Sequence, residues 1–160
     1  MAIASIMPDQ DAIVTEIEIV APLQRVFEAL IDPKQMRQWG SNTNFEVTLW
    51  EIDARVGGNW RFISHQKTGA HASGIKDFDH HGEILELDPP KLLVQTWFAN
   101  WHEPASLETV VRWELSPTAK GTKLKVTHSG FAQSPSARKG YSAGWPGLVD
   151  AIKNYIEKSS

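Results

Sequence analysis

The last stretch of the chain, Gly144-Trp145-Pro146-Gly147-Leu148-Val149-Asp150-Ala151-Ile152-Lys153-Asn154-Tyr155-Ile156, constrains the fold more than any other. Trp145, Leu148, Val149, Ile152, Tyr155 and Ile156 recur at the spacing of one helix face, whereas Asp150, Lys153, Asn154 and Glu157 fall on the other. One stripe must be covered and the other can stay wet. The helix can begin as early as Ser134, as its cap, with Pro135 in the first position. Pro146 would lose a backbone hydrogen bond and press on the carbonyl of Ser142, at a cost of about 3 kcal/mol. A kink or break is therefore expected near Gly144 to Pro146, and with Gly140 and Gly147 close by, residues 134–147 are read as a mobile entrance.

What precedes this helix is mostly strand. Ile13 to Ile19 alternates apolar and polar residues with period two, as a strand wet on one face does. The period then changes: Pro22 suits a first helical position, and Leu23, Val26, Phe27 and Leu30 share a face. Asp32-Pro33 repeats the start signal, with Asp32 as cap and Met36 and Trp39 turned inward, up to Gly40. Strand signals follow over Phe45 to Ile52, Asn59 to His65, Asp79 to Leu87, Leu92 to Phe98, Glu108 to Leu115 and Thr122 to His128. Turn-rich separators such as Gly57-Gly58, Lys67-Thr68-Gly69, Asp88-Pro89-Pro90 and Pro117 to Gly121 make the succession an antiparallel meander. The predicted class is α+β: a curved antiparallel sheet of six or seven strands wrapped around a long C-terminal helix, with two short helices between strands 1 and 2.

Nothing divides the chain. No segment repeats and none is of low complexity, so residues 1–160 are read as a single domain with a frayed start over residues 1–10. The absence of cysteine excludes a disulfide scaffold and a thiol nucleophile. With 16 basic against 19 acidic residues and no long run of like charge, neither nucleic acid nor a membrane surface is an expected partner. The first ten residues carry no Lys or Arg, unlike a signal peptide, and no stretch reaches the roughly 20 apolar residues of a membrane span. A cytoplasmic protein, monomeric or homodimeric, is expected.

Several motifs sit along this order: Ala21-Pro22 with Val26-Phe27 and Leu30, Asp32-Pro33 running to Trp39, and Gly57-Gly58-Asn59-Trp60-Arg61-Phe62. Gly82-Glu83-Ile84-Leu85-Glu86-Leu87-Asp88-Pro89-Pro90-Lys91-Leu92, Thr96-Trp97 and Gly144-Trp145 with Leu148 complete the set. In their order and spacing, from about Ile13 to Glu157, they resemble the helix-grip fold of the START-like (SRPBCC) superfamily. Within it the chain most resembles the family named for the activator of heat-shock-protein-90 ATPase. The resemblance implies a cavity between sheet and helix, and function set by that cavity rather than by the scaffold. The link from Gly69 to His81 is longer than the family's usual one and Pro146 is a second departure; either segment could gate the cavity mouth.

Seven Trp in 160 residues are several times ordinary usage. They can fill a core or wall a pocket for a flat apolar ligand. Trp60 and Phe62 share parity on one strand, Val111, Trp113 and Leu115 on another, and Leu124, Val126 and His128 on a third, with Arg61, Arg112, Glu114, Lys123 and Lys125 on the opposite parity. The candidate cavity residues are thus Trp60, Phe62, Trp97, Trp113, His128, Tyr141 and Trp145. His128, polar on an apolar strand face, is either a hydrogen-bonded core residue or a group that orients a ligand or moves a proton. The carboxylates Glu83, Glu86 and Glu108 could partner it, or stay solvated. His65, His71, His80, His81 and His102 with Asp77 and Asp79 have poor ligand spacing, and neither metal nor cofactor is expected.

Three functions compete: binding of a small apolar or aromatic molecule, a polyketide cyclase- or dehydrase-like reaction using His128 with a carboxylate, and, as the family name implies, interaction with a chaperone.

Overall fold

The computed structural model describes residues 3–6 (backbone alone), 11–42, 44–67 and 75–158. In chain order these form β1 (Ile3–Ile6), β2 (Ala12–Ile19), α1 (Leu23–Ile31), α2 (Pro33–Gly40), β3 (Phe45–Ile52), β4 (Asn59–Gln66), β5 (Asp77–Asp88), β6 (Leu92–Ala99), β7 (Thr109–Pro117), β8 (Thr122–Ser129) and α3 (Pro135–Lys158). The strands pair antiparallel in one sheet, in the order β1-β2-β8-β7-β6-β5-β4-β3. β3 to β8 are a meander, and β2 joins its far end by pairing with β8 from Ala12↔Ser129 to Ile19↔Thr122. Strands β2 to β8 are the predicted curved sheet. β1 is an addition to it: residues 3–6, expected to be frayed, pair with Glu16 to Ile13 and give β2 a second neighbour.

The helices follow their local signals. Asp32 caps α2, its Oδ1 accepting from the Lys34 amide at 3.0 Å while Oδ2 accepts from Gln35 Nε2 at 3.0 Å. These bonds, that from Gln35 foremost, hold the Asp32 carboxyl below its ordinary pKa. Pro22 stands one position before α1 rather than inside it, with extended backbone. Ser134 turns its hydroxyl to the Glu103 carbonyl, 2.9 Å away. The expected break at Pro146 does not occur, since α3 is one helix from Pro135 to Lys158. The cost of the proline is met by burial on both sides of it, Tyr141 and Trp145 before and Val149, Ile152 and Ile156 after. Of residues 134–147, read as a mobile entrance, all but Ser134 belong to the first part of this helix.

β5 starts at Asp77, so part of the long link expected up to His81 is strand, and residues 68–74 lie outside the described residues. Gly57, at φ +84°, takes the left-handed turn that brings the chain into β4, as its Gly57-Gly58 pair predicts.

The inward rows alternate as a half-buried sheet requires: Ile13, Thr15, Ile17 and Ile19 on β2 are buried while Glu16 and Glu18 are exposed. Outward residues pair across strands instead, Arg61 donating to Asp79 at 3.0 and 2.7 Å. Val149, Ile152 and Ile156 of α3, all fully buried, close the core against β2 and its neighbours. Truncating Ile152 to Ala should cost about 2–5 kcal/mol in urea unfolding, against less than about 0.5 kcal/mol for Asp150→Ala two residues away on the wetter face.

Candidate functional site

Between α2, the middle of α3 and the β3–β7 part of the sheet lies a cavity of about 460 Å³. Its floor is built by register. Trp50 of β3 stands opposite Phe62 of β4, and Phe62 opposite His80 of β5. The three rings stack across the strands, Trp50 on Phe62 at 4.4 Å and 11°, Phe62 on His80 at 4.2 Å and 10°. Such cross-strand ring pairs are strong units of sheet stabilisation, and here they leave a flat aromatic surface.

The roof comes from the helices. Met36 and Trp39 of α2 border the cavity, Trp39 held by its indole N–H on the Ala29 carbonyl at 2.8 Å and set edge-on to Trp50 at 5.3 Å. On α3 the cavity is bordered by Tyr141 and Trp145 and, on the flank beside the core stripe of Val149 and Ile152, by Gly144, Gly147, Leu148 and Ala151. A Cβ on Gly144 or Gly147 would meet nothing within 4 Å. The helix therefore fills the core with one flank and leaves space beneath the other.

Of the candidate residues, Phe62, Trp97, Trp113, Tyr141 and Trp145 border the cavity. Trp60 and His128 do not, and each has a packing reason. Trp60 lies across Gly82, whose missing side chain admits the indole, and its N–H reaches the Thr96 carbonyl at 3.0 Å. It backs the wall by packing at 4.4 Å from Trp97. His128 is fully buried behind Tyr141 and Trp145, at 4.3 and 5.7 Å between ring centres. Trp145 donates its indole N–H to His128 Nδ1 at 3.0 Å, so Nε2 carries the ring proton and donates to Thr109 Oγ1 at 2.7 Å. Both ring nitrogens are thus occupied, as in a core histidine. Glu83, Glu86 and Glu108 are exposed, and no Asp or Glu among the described residues borders the cavity.

The polar side chains on the wall, besides Tyr141, are Asn42, Ser64, His80 and Gln95, of which the sequence had singled out His80 alone, as a metal candidate. Gln95 is 4% exposed, and its Oε1 accepts from Trp113 Nε1 at 2.8 Å. His80 Nε2 accepts from Trp101 Nε1 at 3.3 Å, which puts the proton on Nδ1. That nitrogen is sealed from solvent, with the Phe78 backbone, two residues back on the same strand, as the polar group beside it. The signal was parity: Gln95 shares the inward row of Trp97, and His80 is the cross-strand neighbour of Phe62.

The metal constellation does not assemble. His80 is in the wall, His81 is exposed and stacks on Phe98, His65 pairs with Asp77 at 2.9 Å, and His71 lies outside the described residues. Among the described residues no group of three or more His, Asp or Glu converges. None of the helices among them is long and apolar enough to cross a membrane.

A curved antiparallel sheet gripping one long helix over an aromatic cavity defines the helix-grip class. The family described as "Activator of Hsp90 ATPase homolog 1-like protein" matches residues 20–157, and the chain belongs to it. Solved structures agree. A protein from Chromobacterium violaceum is 24% identical with a TM-score of 0.76, covering 92% of this chain and 98% of its own. An AHSA1-like protein from Aeromonas hydrophila is 22% identical with a TM-score of 0.71, over 92% and 93%. A protein from Mesorhizobium loti is 25% identical with a TM-score of 0.70, over 93% and 98%. No curated protein matches the sequence.

Burial holds three histidines below their ordinary pKa: His80, down to about 3, His102, and His128. Neutral when folded, they bind protons near pH 6.5 when unfolded, so protonation favours the unfolded chain. Their contribution to stability is complete above pH 6.5 and is lost as the pH falls towards their folded values. Urea midpoints should be flat from pH 8 to 7 and decline below 6.5, by up to about 1.4 kcal/mol per pH unit for each histidine. Between pH 6 and 4.5, above most carboxylate titration, His80→Gln should make that decline shallower.

Proposed function

We propose that this protein binds a small apolar or aromatic molecule in the cavity between its sheet and α3. The observation that carries the reading is the cavity's size and lining together: about 460 Å³, walled by stacked and edge-on rings, with a few polar groups among them. Ligand sites have this composition and this range of volume, whereas a filled core would have no such space. Each square ångström of apolar surface that a ligand removes from water contributes about 25 cal/mol, so a flat ring system held between the Trp50–Phe62–His80 floor and the helices has ample driving force.

An acid–base reaction through His128 has less behind it. That imidazole is spent on Trp145 and Thr109, and no carboxylate among the described residues shares the cavity. The family's name refers to activation of a chaperone ATPase, a role that would lie on an outer contact surface rather than in the interior.

Native mass spectrometry of freshly purified protein, followed by denaturing extraction, should find a bound small molecule or an empty chain that takes one up. Titration with the neutral fluorophore N-phenyl-1-naphthylamine should give saturable enhancement and quench the tryptophans. Gly147→Leu tests the location: a helix-favouring side chain grown into empty space should leave stability unchanged or raise it by up to about 1 kcal/mol, while weakening the fluorophore by about tenfold or more. Unchanged affinity in a folded Gly147→Leu variant would move the binding site elsewhere.

A further inference from the structure

We infer that the cavity selects an uncharged, flat ligand carrying a hydrogen-bond acceptor such as a carbonyl, and that the Gln95 amide N–H group is the donor that orients it. The inference rests on the binding reading above and adds the ligand's charge and polarity to it.

Charge comes first. No Asp, Glu, Lys or Arg among the described residues borders the cavity. Its titratable groups are His80, which burial keeps neutral, and Tyr141, whose hydroxyl is engaged. His102 donates from Nδ1 to the Leu107 carbonyl at 3.0 Å, so its Nε2 accepts the Tyr141 O–H at 2.7 Å. A carboxylate or an ammonium group entering this space would leave water without meeting an opposite charge, which is strongly unfavourable. Neither an acid nor an amine in its charged form fits.

Polarity comes from Gln95. It stands in the inward row of β6 between Leu93 and Trp97, opposite Ile84 on one side and Val111 on the other. A glutamine so placed needs partners, and half of its capacity is met: Trp113 can only donate, so the oxygen of the amide must face it. That bond fixes which end of the amide is which. The NH₂ end takes no bond from the described residues, and it is not sealed in the way that the indole nitrogen of Trp50 and Nδ1 of His80 are. A 4% exposed side chain bordering an apolar cavity therefore presents two donors to it, and an acceptor on the ligand would satisfy what the protein leaves open. The Trp113 indole that holds the amide is itself set edge-on to Trp145 at 5.4 Å, so the donor sits on a rigid mount.

The test compares three planar compounds built on one tricyclic skeleton, fluorene, 9-fluorenone and fluorene-2-carboxylate, by calorimetry and by ¹⁵N–¹H spectra of the wild-type protein. Fluorenone should bind, shifting the Gln95 side-chain amide resonances, and the carboxylate should bind at least about tenfold more weakly. The ratio of fluorene to fluorenone dissociation constants should fall about five- to tenfold in Gln95→Met, which keeps the length of the side chain and removes the donors. Gln95→Glu at pH 5, which as a neutral acid keeps an acceptor for Trp113 and an O–H donor for the ligand, should retain the preference that Gln95→Met loses. If fluorene and fluorenone both bind but the ratio is unmoved by Gln95→Met, or if the amide resonances stay still, the inference fails while the cavity reading stands. Tight binding of the carboxylate also overturns it. Should neither neutral compound bind, the cavity reading falls and this inference with it. The wild-type comparison and the amide resonances decide the matter even where a Gln95 variant does not fold.

Discussion

The indole N–H of Trp145 reaches 3.0 Å into the sheet to Nδ1 of His128, and that contact sets where the long helix lies. From His128 the chain of bonds runs on: Nε2 donates to Thr109 Oγ1 at 2.7 Å, and the Thr109 hydroxyl donates to the Trp97 carbonyl at 2.7 Å. Helix α3 is thereby tied through three strands, β8, β7 and β6. In a buried setting each of these groups would be costly if left alone, so the helix cannot slide without orphaning several at once. A second tie, Tyr141 to His102 at 2.7 Å, lies one turn earlier. Two more lie near the C-terminal end, where Lys153 donates to the Glu18 carbonyl at 2.8 Å and Glu157 accepts the Val20 amide at 2.8 Å.

Between those two groups of ties the helix spans the cavity. Interiors close up unless something prevents it, and here the spacing is set by rings at the rim. Trp39 edge-on to Trp50 props α2 off β3, and Trp113 edge-on to Trp145 props α3 off β7. Small residues face the gap, with Gly144, Gly147 and Ala151 on the helix flank. Large side chains hold the walls apart and small ones leave the middle open. The same tryptophans that read as excess in the composition are thus divided into props, wall and backing, and Trp60 is wholly backing.

Much of the fold was legible because periodicity is a local quantity. The alternation of Ile13 to Ile19 and the six later strand segments were placed to within two residues, as were Asp32-Pro33 opening α2 and the stripe of α3. Parity also named the inward face of each strand correctly for Trp113 and His128, both of which are buried. What parity could not give was depth. Phe62 and Trp60 point the same way from one strand, yet Phe62 stacks on the cavity floor while Trp60 lies across Gly82 behind Trp97. Gln95 went unread, and His80 was read only as a metal candidate, for a related reason. Their polarity looked like that of a loop or an ordinary strand residue until the registers Phe62↔His80 and Gln95↔Val111 put them among rings and aliphatic side chains.

The sequence by itself determined the element order, the inward rows, the composition of the interior and the absence of any thiol chemistry, since all of these follow from residue type and spacing along the chain. It also carried the motifs of the family to which the chain belongs. Only the tertiary structure decided that α3 runs unbroken through Pro146, because burial of residues on both sides outweighs one lost hydrogen bond. It alone separated wall from backing and gave His128 its two partners. Those outcomes depend on which side chains meet across strands and helices far apart in sequence, and free energies of packing and of buried hydrogen bonds exist only once those partners are in place.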